Sequence, residues 1–355
     1  MTRKVQTAIV GVTGYAGAEL ARLLLHHPRL QGHPPVLAGR VEGKDLERGG
    51  VPLTEIHPQL GGSEVAHALK MEPFSWDLLA EHGVDVLFLA TPHEQSRAWV
   101  PEALKRGIRV IDLSGAWRLT EAANRAVYKF EDEGTEQAAT IQAKAVYGMP
   151  ELHRKQIAGA KLVANPGCYS TSVILSLKPL VAAGLVDLET GIIADAKSGV
   201  SGAGKAPTAK THFMYAADNL SAYGVFGHRH TGELLEQIGL SSDQMIFTPH
   251  LLPIPRGILS TIYVRFKHAQ TRESVATVYR EFFADSPMVR FYEKSLPQIQ
   301  HSVRTNYADI GFQLDASGKR AIIVSCLDNL LKGAAGQAVQ NLNVMEGWPE
   351  TEGLL

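Results

Sequence analysis

Residues 5–10 form a short apolar stretch that runs directly into Gly11-Val-Thr-Gly-Tyr-Ala-Gly17 and from there into a helical pattern over 16–26. No other feature of the 355-residue chain restricts the fold as much. A buried strand that turns on glycine into a helix opens a βαβ unit. Its glycines let backbone approach a pyrophosphate, and the helix N-terminus offers unpaired N–H groups and a partial positive charge. The spacing is G-x-x-G-x-x-G instead of G-x-G-x-x-G, but the physical requirement is the same. The alternative is a plain glycine-rich turn. Further strands expected at 35–38, 84–90 and 108–113, alternating with helical patterns, arrive in the order a Rossmann-type doubly wound parallel sheet needs. On this reading Gly11, Thr13, Gly14, Tyr15, Ala16 and Gly17 face a dinucleotide.

The end of the second strand selects the cofactor, because a carboxylate there bonds the ribose 2′-hydroxyl of NAD whereas an arginine accommodates the 2′-phosphate of NADP. The chain reads Ala38-Gly39-Arg40, with no carboxylate between Glu19 and Glu42. NADP is favoured, with Arg40 as a 2′-phosphate clamp in preference to a solvated loop cation. From residue 168 the pattern changes to a helix over 169–182 followed by β-rich runs at 191–196, 245–248, 258–266, 307–314 and 321–325. These suggest an α+β second domain with a mostly antiparallel sheet. A last helical stretch, 333–346, could return to the first unit. The expected division is therefore 1–167 plus 330–355, and 168–329. Segments 42–64 and 120–146 read as irregular or inserted.

The chain has 35 Lys+Arg against 36 Asp+Glu, a net charge of −1, and 20 % charged residues. That balance argues against a nucleic-acid binder and against a disordered tail protein. Its two cysteines, Cys168 and Cys326, cannot make a disulfide framework and lack paired zinc spacing, which suggests a reducing compartment. The N-terminal residues lack a signal-peptide core, and no apolar run approaches the ~20 residues a membrane span needs. A soluble, cytoplasmic protein with no membrane partner is expected.

Asn165-Pro-Gly-Cys168-Tyr-Ser-Thr sits between an apolar strand, 161–164, and a helix. A cysteine at a helix N-terminus is expected to have a lowered pKa and donors nearby for an oxyanion. We favour a nucleophile at Cys168 over a buried structural thiol, the role expected of Cys326 in its strand run. Beside a nicotinamide cofactor, a thiolate suits acyl chemistry through a thioester or thiohemiacetal. His228-Arg-His230 supplies two imidazoles, which alternate positions of an extended segment would point the same way. With Glu233 the pair could be read as metal ligands, but nothing fixes a further ligand, and acid/base use ranks above zinc, so no metal is expected. His250 reads as structural. Gly199-Val-Ser-Gly-Ala-Gly-Lys205-Ala206 nearly matches a nucleoside-triphosphate loop, yet Ala206 replaces the Mg²⁺-binding hydroxyl. ATP binding is rejected, and the loop remains suited to a nicotinamide ring or a substrate anion.

Together with Asp112-Leu-Ser-Gly-Ala-Trp-Arg118, Tyr147-Gly-Met-Pro-Glu151 and Asn329-Leu-Leu-Lys-Gly-Ala-Ala-Gly, these motifs resemble the N-acetyl-gamma-glutamyl-phosphate reductases over nearly the whole chain. That family is similar in fold to aspartate-semialdehyde dehydrogenase. The resemblance implies NADPH-dependent reduction of N-acetyl-glutamyl 5-phosphate to the semialdehyde, with release of phosphate, in arginine biosynthesis. It implies Cys168 as nucleophile and Arg118 as the phosphate-receiving arginine. His228 and His230 are implied as a pair, His230 being favoured for proton transfer. Ser198, Gly199, Gly202 and Asn329 fall at cofactor-facing positions, and Ser114, Asn165 and Arg256 are expected on the substrate side with Arg118. The partner is a small acyl phosphate, and the family forms homodimers and homotetramers. Two motifs depart from the family pattern: Asp112-Leu-Ser-Gly-Ala-Trp-Arg118 has Gly-Ala-Trp where Ala-Asp-Phe is usual, and Cys168-Tyr-Ser has Ser where Pro is usual. Both keep the arginine and the cysteine. Reduction of a carrier-protein-linked aminoadipyl phosphate, and a non-catalytic NADP-binding sensor, stand as the alternatives.

Overall fold

The computed structural model describes residues 4–355. Its first sheet has eight strands: β1 Thr7–Val10, β2 Val36–Gly39, β3 Val51–Pro52, β4 Lys70–Pro73, β5 Val86–Leu89, β6 Arg109–Asp112, β7 Ala145–Tyr147 and β8 Leu162–Ala164. Their order is β3-β4-β2-β1-β5-β6-β8-β7, parallel throughout except for β3 against β4. Alternate residues of each strand serve opposite faces. Val86 and Phe88 join one core with Leu20 and Leu24 of the Tyr15–Leu25 helix and Val339 and Leu342 of the C-terminal Gly336–Glu346 helix. Leu87 and Leu89 join the other, with Leu79 of the Trp76–Glu81 helix and Val100 of the His93–Lys105 helix. Burial on both faces explains the near-continuous apolar composition of these strands.

The chain leaves β1 toward β2 on one side and returns to β5 on the other, so a crevice opens beyond the carboxyl ends of β1 and β5. Ligands bind open α/β sheets at this switch point. A cavity of about 500 Å³ lies there, lined by Gly11, Gly14, Gly39, Arg40, Ala90 and Thr91, among others. Segments 42–64 and 120–146 are not wholly irregular. The first holds β3 and short helical turns, and the second a Glu136–Gln142 helix.

The second sheet runs β10-β11-β9-β12-β15-β14-β13, with β9 Ile192–Gly199, β10 Ser221–Ala222, β11 Met245–Leu252, β12 Ile258–Arg265, β13 Val289–Tyr292, β14 Ala308–Leu314 and β15 Arg320–Leu327. It is antiparallel apart from the β11–β9 and β13–β14 pairs. Its inner face carries the Cys168–Ala182 helix, whose residues are buried nearly all round. Ser172 Oγ donates to Ser260 Oγ of β12 at 2.8 Å and fixes the helix over the sheet. The outer face is uncovered: Ile193, Ile246, Tyr263 and Ile322, one from each of four neighbouring strands, are 41–46 % exposed. Cys326 is buried in β15, and burial pushes its thiol up to about 12. The final helical stretch begins differently from its expected start at 333. Leu331–Ala335 is a π-helical turn that leads into Gly336–Glu346.

Candidate active site

Gly167 caps the Cys168–Ala182 helix without a side-chain bond, so the first N–H groups of the helix are left for the thiol and for whatever meets it. The turn after β8 is compressed from two sides. A Cβ on Gly333 of the π turn would sit 2.7 Å from the Cys168 Cβ, and one on Gly167 would run into the His230 ring at Nε2. These glycines let the π turn and the imidazole close on the thiol. The expected lowering of the Cys168 pKa does not hold. Burial pushes the thiol up to about 11, and neither the Tyr169 amide nor the Arg118 charge offsets it. Desolvation of the thiolate outweighs the helix terminus here.

His228 and His230 do face the same way, but from a turn instead of an extended segment. The His230 amide donates to His228 Nδ1 at 3.1 Å, and the ring centroids are 4.7 Å apart at 84°. Both rings pack edge-on to Tyr169. Burial, reinforced by Arg229, lowers His228 to about 4, and burial also holds His230 well below its ordinary value. Both imidazoles are therefore neutral at pH 7 and able to accept a proton. The His230 Nδ1 atom is buried without a partner.

Arg118 and Glu233 are both buried and joined by Nη1–Oε1 at 3.0 Å. Glu233, weighed from sequence only as a metal ligand, spends its carboxylate on three donors. Besides Arg118 it accepts from Tyr147 OH at 2.7 Å and from the Gly167 amide at 2.9 Å. Arg118 also donates Nη2 to the Leu113 carbonyl at 2.7 Å, while its Nε is buried with no partner. Burial opposes the guanidinium charge and Glu233 more than restores it, so Arg118 stays ionised.

Two cavities meet at the thiol. One, of about 300 Å³, is lined by Gly14, Gly17, Arg118, Cys168, His230 and Asn329, with Tyr15 and Ala16 also on its wall. The other, of about 200 Å³, is lined by Cys168, Tyr169, Ser198, His228, Arg229 and Lys210, among others. Cys168, Gly202 and His230 border both. Gly11 takes φ +97°, and a Cβ there would strike the Ala90 carbonyl, while one on Gly17 would strike the Gly11 carbonyl. The turn is thus shaped for backbone approach, and the uncapped Tyr15–Leu25 helix points its N-terminus at it. These residues fit a dinucleotide.

Residues 6–160 match the semialdehyde dehydrogenase NAD binding domain, and 168–329 match the semialdehyde dehydrogenase dimerisation domain. An N-acetyl-gamma-glutamyl-phosphate reductase of Dehalococcoides mccartyi is 44 % identical over 99 % of this chain and 98 % of its own length. One from Methanococcus maripaludis is 41 % identical over 98 % and 97 %. The chain belongs to the N-acetyl-gamma-glutamyl-phosphate reductase family. It is an oxidoreductase with a nicotinamide-cofactor-binding fold. Solved aspartate semialdehyde dehydrogenases share that fold: the Vibrio cholerae enzyme II complexed with ASA has TM-score 0.68 at 18 % identity, covering 97 % of this chain and 98 % of that one. The Candida albicans enzyme with NADP has 0.67 at 15 %, covering 96 % and 98 %.

Several residues expected at the family's site are engaged elsewhere. Arg256 is no free substrate cation: Asp328 takes its Nε at 3.0 Å and Glu19 its Nη1 at 2.5 Å. Ser114 donates Oγ to Asp112 Oδ2 at 2.8 Å in a tight side-chain turn, and Asn165 is fully buried between Ala334 O and Asn341 Nδ2. None of the three lines either cavity at the thiol. Gly199 packs under the Arg256 backbone, whereas Ser198 lies on the smaller cavity only. Asn329 ties the Gly199–Gly204 loop to its neighbours by accepting from the Gly257 amide and donating to Ser201 Oγ. Thr13 and Arg40 line the switch-point cavity. Arg40 is exposed and paired to Glu42 at 2.5 Å. Among the described residues, no helix is long and apolar enough to cross a membrane.

Proposed function

We propose that this chain reduces N-acetyl-L-glutamyl 5-phosphate to N-acetyl-L-glutamate 5-semialdehyde with NADPH, releasing phosphate, as a step of arginine biosynthesis. The carrying observation is Cys168 at an uncapped helix start, shared by two cavities and closed in by a neutral His230. Residues 1–167 with 330–355 serve the cofactor, and 168–329 carry catalysis and self-association.

Cys168 Sγ attacks the acyl carbon while its proton passes to His230 Nε2, the ring atom against Gly167. A thiol held near 11 needs that base, since few thiolates form spontaneously at pH 7. Backbone N–H groups at the helix start hold the oxyanion. The unspent Nε of Arg118 faces the phosphate, which departs as the C–O bond breaks and leaves a thioester. A nicotinamide held against Gly14, Gly17 and Asn329 would supply hydride to the thioester carbon, giving a thiohemiacetal whose C–S bond then breaks. His230 returns its proton to Sγ as the aldehyde is released, so the thiol is regenerated. Glu233 keeps Arg118 and the Gly167 amide in place throughout. Arg40 exchanges its exposed, weakly held Glu42 partner for the 2′-phosphate. The uncovered outer face of the second sheet meets a second copy of the chain, in line with the matched dimerisation domain.

The test is phosphate-dependent NADP⁺ reduction with N-acetylglutamate semialdehyde. Wild type should turn over and Cys168→Ser should lose at least ~10³-fold; near-normal turnover by that variant would exclude the thioester route. Arg40→Ala should cut the preference for NADPH over NADH about tenfold or more.

A further inference from the structure

The smaller cavity carries two cations and no carboxylate among its lining residues. Arg229 stands between the two histidines, and Lys210 stands on the Ala209–Thr211 turn, which a reciprocal Thr208–Thr211 capping pair closes. Neither makes an ion pair with a described residue, while Arg118, Arg256 and Arg40 all do. Arg229 is near enough for its charge to bear on His228, His230 and Tyr223. Its guanidinium lies 6.0 Å from the Tyr128 ring centroid. Unspent cations at a cavity that ends on a reactive thiol make a receptor for an anion on the far end of the reacting molecule.

We propose that Arg229, assisted by Lys210, binds the α-carboxylate of the acyl substrate, so that the smaller cavity measures the substrate from its carboxylate to the carbon at Cys168. The inference rests on the reductase reading above. The phosphate is left to Arg118 in the larger cavity, and the two anionic ends of the substrate are sorted to opposite sides of the thiol. The planar fork of Arg229 suits a carboxylate bidentately, and Lys210 adds a point charge. The carboxylate thereby becomes a requirement for efficient turnover.

The experiment compares kcat/KM for N-acetylglutamate semialdehyde with that for 4-acetamidobutanal, which has hydrogen in place of the carboxylate, in wild type, Arg229→Gln, Arg229→Lys and Lys210→Gln. Arg229→Gln should shrink the wild-type preference for the carboxylate-bearing aldehyde roughly ten- to a hundredfold, mainly through KM, with Arg229→Lys recovering part and Lys210→Gln losing less. A second arm needs no turnover: alkylation of Cys168 by iodoacetate relative to iodoacetamide, followed by mass spectrometry, should fall several-fold in Arg229→Gln and in Lys210→Gln. If both ratios are unchanged in both variants, the carboxylate assignment is overturned while the reductase reading stands. If wild type oxidises neither aldehyde, the reductase reading fails, and the alkylation ratio still decides whether this cavity attracts anions.

Discussion

Burying the Arg118 guanidinium is tolerable because Glu233 is buried with it, and the Glu233 carboxylate is in turn satisfied by Tyr147 and the Gly167 amide. Removing one partner of such a pair leaves an uncompensated charge, at a cost of about 3–5 kcal/mol. Glu233→Gln should therefore lower the thermal midpoint. It should also reduce kcat/KM about a hundredfold, because Arg118 and the peptide before Cys168 lose their common anchor; an unchanged kcat/KM would show that Glu233 has no positioning role. The thiol gives a second prediction. With Cys168 raised to about 11 by burial, its alkylation rate in the ligand-free protein should keep climbing above pH 8.5, and a plateau below pH 7 would contradict the burial argument. The position of Cys168 at a helix start was legible from sequence because Asn-Pro-Gly before a helix is local information. The partners of Arg118 and Arg256 were not, since Glu233 lies 115 residues from the first and Glu19 lies 237 from the second. An arginine read alone looks equally free wherever its carboxylate is distant in sequence.

Among the elements, the π turn at Leu331–Ala335 is held by Lys332, fully buried with Glu151 at 2.6 Å and bonded also to Gln340. The turn brings Gly333 against the thiol. Gly333→Ala should cost far more activity than stability, with kcat/KM down at least tenfold, because its Cβ displaces either the turn or Cys168; steady-state kinetics alongside a melting curve separate the two effects. Lys332→Met should destabilise by about 3–5 kcal/mol, and the double change Lys332→Met with Glu151→Leu should recover much of that loss in chemical denaturation. Periodicity disclosed the first strands and the Cys168–Ala182 helix because each is long enough, or apolar enough, to carry its own pattern. It missed β3, β4, β7, β10 and β13, whose two to four residues carry too little period to stand out. The widened turn at 331–335 carries the buried Lys332–Glu151 pair, whose partners lie 181 residues apart, and no helical period announces it.

For the molecule as a whole, burial of neutral imidazoles contributes to the acid limb of stability. His228 titrates at about 4 in the folded chain against 6.5 when exposed, so the unfolded state binds the proton more readily between those values. Stability should fall as pH drops from about 6.5 to 4, and denaturation midpoints of His228→Asn should show a shallower slope over that interval. The outer face of the second sheet makes a further prediction at this scale. Tyr263→Asp with Ile322→Glu should shift the particle toward monomer in sedimentation while leaving the far-ultraviolet spectrum intact; an unchanged sedimentation coefficient would move the interface elsewhere. The doubly wound sheet and the mostly antiparallel second sheet were both legible, because alternation of strand and helix is spread over many residues.

One consequence of the Glu233 cluster is mechanical. The carboxylate rides on the Thr231–Ile238 helix over the second sheet, and its donors come from the loop after β6, from β7 and from the turn after β8. The two sheets are riveted beside Cys168, and a hinge opening there would strip three partners from a buried anion at once. The turn that carries Cys168 is thereby pinned from both sheets at once.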